Sequence, residues 1–278
     1  MTLRLPAALA GAALLLAACA APPPAADGAP PPDCPTARAE VPNADYIGRY
    51  AGLENAVGAR EFAQDLHCAD RFKAARFPAG FVTVFGSSRI REDDPAYALV
   101  RRVAAEWTRR HGARVPVMTG AGPGLMEAAN RGAREAGGPS VGYTTYYDRP
   151  TAPDPLRPYG GDPRQALNGH VTHGLIFTSV TARELAMLRH SAAVLVAPGG
   201  TGTEWELFQL VEMIKSRQLA PVPVYLLGDR ARHWASLQVR LDDMVSRGTI
   251  RREEVAFLRF ADDADALVRQ LEADLRLR

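Results

Sequence analysis

Lysine is nearly absent from this chain. Only Lys73 and Lys215 occur among 33 basic residues, and arginine supplies the rest. Chemistry built on a lysine Schiff base, pyridoxal-dependent decarboxylation above all, therefore has two candidate amines. Neither suits: Lys73 precedes the first β-rich run, and Lys215 lies well down a helical stretch from the nearest glycine loop. A charge excess is missing as well. The formal net charge is +2 over 278 residues, which argues against nucleic acid as a partner. Metal-ligand clusters are lacking too. His170 and His173 have H-x-x-H spacing, but they sit where a loop runs into a strand, where such residues point to opposite faces. No cysteine or acidic cluster completes a zinc site, so neither a metal nor a cofactor is expected. One of these histidines is instead a candidate to line a pocket.

Apolar runs long enough to cross a membrane are missing after the first twenty residues. In those, Arg4 precedes an apolar stretch that ends Leu16-Ala17-Ala18-Cys19. A charged start, a short apolar run and small residues before a cut describe an export signal. Leu-Ala-Ala-Cys also resembles the bacterial lipobox, in which the cysteine, here Cys19, is lipidated. A membrane-spanning helix is the competing reading, but about 17 apolar residues broken by Pro6 are short for a bilayer. Alanine and proline then dominate up to Pro35, the composition of a stiff spacer. The expected organisation is a signal peptide over 1–18, a tether over 19–45 and a folded domain over 46–278. That makes an exported lipoprotein, anchored through Cys19 on the outer face of a bacterial membrane or in the periplasm. Cysteine is otherwise scarce. Cys34 and Cys68 could pair in an oxidising compartment and tie the tether to the first helix, or be two unrelated thiols.

From residue 60 the pattern alternates. Helical periodicity over 60–72 is followed by the β-rich run 81–88, a helix over 95–111 and a strand ending in glycines at 120–124. A helix over 125–136 and the strand SVGYTTYY follow, then a proline-studded loop over 148–169. The strand GLIFTS, a helix over 181–191, a strand over 193–197 and a helix to about 217 come next. VPVYLLG, a helix over 233–247, the short FLRFA and a last helix over 264–275 complete the chain. Apolar strands separated by helices of ten or more residues imply a Rossmann-like α/β fold: a parallel sheet covered by helices on both faces.

In such sheets ligands bind beyond the carboxyl ends of the strands. Three loops leave strands with glycine or hydroxyl residues: Gly86-Ser87-Ser88, the loop with Gly120, Gly122 and Gly124, and Gly199-Gly200-Thr201-Gly202-Thr203. Glycine lets backbone approach an anion, and a following helix offers unpaired N–H groups and a positive dipole end. Each loop alone could simply turn the chain; three at strand ends favour a phosphate site. The GxGxG spacing is not the dinucleotide GxGxxG, and no Walker A lysine is present, so a mononucleotide or sugar phosphate fits best. Glu204 and Glu206 follow the third loop. A first-turn carboxylate suits the helix dipole, yet it would repel phosphate in a shared pocket. That repulsion is tolerated where the carboxylate has work to do, such as steadying the oxocarbenium-like charge of a cleaving glycosidic bond. Glu127 reads as a first-turn charge or a ribose contact, and Trp205 and Phe208 as core or base-stacking residues. Arg89 and Arg91 read as phosphate contacts or solvated surface.

PGGTGTEWE, residues 198–206, resembles PGGxGTxxE, the signature of the LONELY GUY family of phosphoribohydrolases. Arg183-Glu184-Leu185-Ala186-Met187 stands where that family carries R-K-x-x-M, and VFGSSR and MTGAGPGLMEAANRGAREAGG resemble its bacterial branch. The resemblance implies hydrolysis of the N-glycosidic bond of nucleoside 5′-monophosphates, AMP or cytokinin nucleotides, to free base and ribose 5-phosphate. It implies Arg183 and Glu206 as catalytic residues and residues 199–203 as the phosphate cradle. Ser87, Ser88, Gly122 and Gly124 would then line the nucleotide pocket, in a homodimer. Relatives are often labelled lysine decarboxylases, which the two lysines speak against. This chain departs from the pattern with Glu184 in place of lysine, with Ala192, and with Ala121 between Gly120 and Gly122. A nucleotide sensor or carrier of the same fold is the alternative.

Overall fold

A computed structural model describes residues 33–36, 41–50, 57–146 and 166–277. The signal segment, Cys19 and most of the proline-rich loop lie outside the described residues. Eight strands are described: β1 (Ala44–Ile47), β2 (Phe81–Phe85), β3 (Val117–Thr119), β4 (Ser140–Thr145), β5 (His173–Phe177), β6 (Ser191–Val196), β7 (Val224–Leu227) and β8 (Leu258–Ala261). The helices are α1 (Ala59–Arg76), α2 (Pro95–His111), α3 (Leu125–Glu135), α4 (Val180–His190), α5 (Thr201–Lys215), α6 (Arg230–His233), α7 (Ala235–Ser246) and α8 (Ala264–Asp274).

Local chemistry sets several of these boundaries. Asp94 caps α2 by accepting the Ala96 N–H at 2.8 Å, and Pro95 occupies the first helical position, where its missing N–H costs nothing. Asp263 caps α8 in the same manner. The helix expected over 233–247 is broken at Trp234, whose indole N–H donates to the Leu227 carbonyl at 2.9 Å. That buried bond takes the residue off the helical path, so α6 and α7 are separate.

All strands pair in parallel, in the order β1-β5-β4-β3-β2-β6-β7-β8. Alternate side chains feed two cores. Phe81 and Phe85 of β2 join residues of α1, α4, α5 and α7 on one face. Val82 and Val84 join α2, α3 and α8 on the other. Both faces are therefore covered, as the apolar runs predicted. The chain builds outward one way from β2 through β3, β4 and β5, and the other way from β6 through β7 and β8. The strand order reverses between β2 and β6. Loops leaving these two neighbours diverge and open a crevice, the usual ligand position in an open α/β sheet.

The N-terminal boundary differs from the expectation. Part of the stretch read as tether belongs to the sheet: β1 starts at Ala44, ahead of the boundary at 46, and pairs with β5. Cys34 and Cys68 form a disulfide with a Cα–Cα separation of 5.5 Å, and the Ile47 N–H donates to the Pro35 carbonyl. Four residues after a proline-rich stretch carry little strand signal, and their partner lies far along the chain. Among the described residues no helix is long and apolar enough to cross a membrane.

Candidate functional site

Backbone hydrogen bonds lock the three glycine loops together. The Ser87 N–H donates to the Pro198 carbonyl at 3.1 Å, and the Leu125 N–H donates to the Ser87 carbonyl at 2.9 Å. Gly124 has to be glycine here: its φ is +69°, and a Cβ would lie 2.5 Å from the Ser87 oxygen. The loops enclose a cavity of about 700 Å³, within the range of small-molecule sites.

One wall is the start of α5. Gly200 is its N-cap, and the first intrahelical bond runs from the Glu204 N–H to the Gly200 carbonyl. The N–H groups of residues 201–203 thus have no partner within the helix, and the positive end of the dipole faces the cavity. Gly200 and Gly202 line the cavity with no atom within 4 Å of where a Cβ would stand. Gly199 lies behind them, where any Cβ would collide with the Thr203 side chain. An anion can approach this backbone closely for that reason. Gly202→Ala is therefore expected to fold normally and, being in the first turn, to gain less than the about 1 kcal/mol of an interior helix position. The added methyl would still weaken AMP or phosphate binding at least tenfold. A thermal melt paired with calorimetric titration checks both halves.

Beside it the lining carries charge from α4 and from the next turn of α5. Arg183, the fourth residue of α4, is 3.4 Å through Nη2 from Oε1 of Glu206, and it is also ion-paired with Glu184. Arg183 and Glu206 line the cavity, with only 6% and 12% of their side chains exposed. Glu184 lies wholly buried behind Arg183 and outside the lining. Burial pushes the Glu206 carboxyl up to about 7, and the Arg183 charge pulls the other way. A carboxyl that changes state near neutral pH can exchange a proton with water or substrate. Glu204 does something else. It faces outward in a two-bond ion pair with Arg240 at 2.9 and 3.0 Å.

Of the sequence-predicted residues, Gly86, Ser87, Ser88, Gly120, Gly122, Gly200, Thr201, Gly202 and Thr203 line the cavity together with Arg183 and Glu206. Gly124 and Gly199 do not; they shape the loops from behind. His170 and His173 are outside the lining, with His170 3.8 Å from Glu127 and His173 3.1 Å from Asp45. No group of three or more metal-ligating side chains occurs among the described residues. Arg89 and Trp205 do line the cavity, whereas Arg91 faces solvent beside Asp93 and Phe208 packs against the apolar core.

Asn168 went unforeseen. Its amide donates to the Gly122 carbonyl at 3.1 Å and to Asn130 Oδ1 at 2.9 Å, and its backbone N–H donates to the Ala121 carbonyl. Asn130 in turn accepts from Thr119 and donates to Ser140. This chain fixes the second loop with Ala121 at φ 58°, a backbone region that glycine usually fills. An asparagine beside glycine reads as a turn in any sequence, so nothing marked it.

The model of a family described as possible lysine decarboxylase matches residues 126–271, just over half of the 278-residue chain. Among solved structures, the chain is similar to the molybdenum cofactor carrier protein MCP of Chlamydomonas reinhardtii, at 18% identity and a TM-score of 0.46. That match covers 70% of this chain and 98% of the other. The molybdenum cofactor binding protein of Rippkaea orientalis is 21% identical with a TM-score of 0.45, over 70% and 96% of the two chains. No curated protein matches the sequence.

Proposed function

The chain belongs to the possible lysine decarboxylase family, and from that premise we propose that it is a phosphoribohydrolase cleaving nucleoside 5′-monophosphates into free base and ribose 5-phosphate. Family membership supports a nucleotide-related role. The observation that carries the finer reading is the pairing, in one cavity, of an open helix N-terminus with the Arg183–Glu206 couple. A phosphate seated on residues 200–203 would be held by backbone N–H groups, the helix dipole and nearby Arg183. Glu206, one turn into the same helix, would then be placed toward the ribose. As carboxylate it offsets positive charge growing on the sugar and accepts a proton from the attacking water. The C1′–N bond breaks, the water oxygen joins C1′, and the proton passes to the departing base.

The family's description names a different chemistry, and the lysines do not fit it. A pyridoxal Schiff base needs an amine at the cavity. Lys73 Nζ donates to the Pro78 carbonyl, Lys215 pairs with Glu212 at the end of α5, and neither lines the cavity.

Binding without cleavage is the second reading, and Glu184 favours it. Two carboxylates already face Arg183, which leaves the guanidinium less positive charge to offer a phosphate. One assay separates the readings. The protein is incubated with AMP, other nucleoside 5′-monophosphates and isopentenyladenosine monophosphate, and free base is followed by chromatography. Base release is the expected result. Tight binding of a nucleotide with no release would overturn hydrolysis in favour of a carrier or sensor.

A further inference from the structure

We propose that Asp65 is a positioning residue for Arg183, and that the N-terminal segment clasped around Asp65 is part of the working site. This rests on the reading of Arg183 and Glu206 as the reactive couple. Asp65 has no solvent exposure and does not line the cavity. Its carboxylate faces the entry of α4. Oδ1 accepts the Thr178 N–H at 3.1 Å and the Tyr46 hydroxyl at 2.6 Å, and Oδ2 accepts the Ser179 N–H at 2.8 Å. Ser179 is the N-cap of α4, and the Arg183 N–H donates to its carbonyl at 3.0 Å. The carboxylate thus fixes the two residues from which the first turn springs, and the arginine ends that turn.

The clasp has its own anchors. β1 lies beside β5 and so delivers Tyr46 to Asp65, and the Gly48 N–H donates to the Ile176 carbonyl at 2.6 Å. A side chain at Gly48 would stand 2.6 Å from both the nitrogen and Oγ1 of Thr178. The Cys34–Cys68 disulfide fastens the same segment to α1 one turn beyond Asp65. Burying a carboxylate is costly, and an apolar residue could fill the space. Here the charge is directed at two backbone amides next to the reactive arginine. Phosphate binding rests mainly on a different element, the start of α5, with Arg183 only a secondary contact. Loosening the clasp should move Arg183 relative to Glu206 while leaving the backbone cradle at residues 200–203, the main phosphate seat, in place.

The test uses the full chain. Asp65→Asn keeps the size but leaves one acceptor oxygen, so one of the two amides loses its partner. Tyr46→Phe removes a single bond, and reduction of the folded protein opens the disulfide without any substitution. Misplacement of about 1 Å costs on the order of 100-fold in rate. The expected result for Asp65→Asn is a 10- to 100-fold lower kcat with KM within about twofold. Amide exchange should quicken at residues 178–183 and stay unchanged at 204–210 of α5, whose N–H groups are bonded within the helix. Tyr46→Phe and reduction should give the same exchange pattern with a smaller loss of kcat. Exchange raised throughout the sheet, or unchanged at 178–183 in Tyr46→Phe and the reduced protein, overturns the proposal. If the wild type releases no base, the hydrolase reading fails by itself. The exchange pattern then decides, with localised loosening and retained AMP binding supporting the clasp.

Discussion

Glu206→Gln is expected to slow base release by about 10²–10³-fold while leaving affinity for the nucleotide within about threefold. Glutamine keeps the shape and a carbonyl oxygen but removes the charge. In the free protein that charge sits 3.4 Å from Arg183 and is 12% exposed, so little water screens it from a ligand. An interaction made mainly with charge that develops on the sugar lowers kcat and hardly touches binding. Removing a negative group near a phosphate would, if anything, tighten binding. The pH dependence follows from the same residue. Burial has raised its carboxyl to about 7, so the active carboxylate form fills only as pH climbs through that value. Wild-type kcat/KM should therefore rise between about pH 6 and 8. The nucleotide's own second phosphate ionisation, near about 6, adds to that limb. Glu206→Asp separates the two, because it moves only the protein's contribution. Single-turnover release measured alongside calorimetric AMP titration checks the split. Equal turnover in Glu206→Gln would remove Glu206 from the chemistry.

How much of this could be read beforehand depended on whether the signal was local. The Asp94-Pro95 start and the basic end of α2 sit in a few adjacent residues, and that helix was predicted to its limits. The three glycine loops were legible for the same reason, and a parallel sheet brings its strand ends together without further information. Glu204 and Glu206 were separable in principle. At about 100° per residue they stand about 200° apart around α5, so one facing the cavity sends the other to Arg240. What stayed hidden depends on distant partners. Strand β1 is four residues whose meaning comes from β5, and Asp65 reads as an ordinary helix acid until Thr178 and Ser179 meet it. Glu184 is the sharpest case. A charged residue on a helix next to an arginine suggests a solvated face, yet it is wholly buried and ion-paired with Arg183.

Arg183→Met should then destabilise the protein heavily, and do so most at alkaline pH. The guanidinium stands between two carboxylates, one fully buried and one nearly so. Removing one partner of a buried ion pair costs roughly 3–5 kcal/mol, since it strands the opposite charge. For a domain of this size that corresponds to a fall in Tm of about 10 °C at pH 8. The sign follows from Glu206. Its folded-state pKa is already above the ordinary carboxylate value, and Arg183 is the influence holding it down. A raised folded pKa means that the favourable contribution is complete below the unfolded pKa and is lost as pH rises through the folded one. Taking the arginine away lifts the folded pKa further, so the deficit should be small near pH 5 and grow through neutrality and beyond. Adding Glu206→Gln to Arg183→Met should restore part of the loss at pH 8, because one stranded charge is gone. Glu206→Gln alone should melt higher than wild type above about pH 7, the stability that an ionised buried carboxylate forgoes for its role in turnover. Thermal melts of the four proteins between pH 5 and 8.5 close the cycle. A pH-independent loss in Arg183→Met, unrelieved by the second change, would mean that the arginine contributes packing alone and that no charge couple spans the cavity.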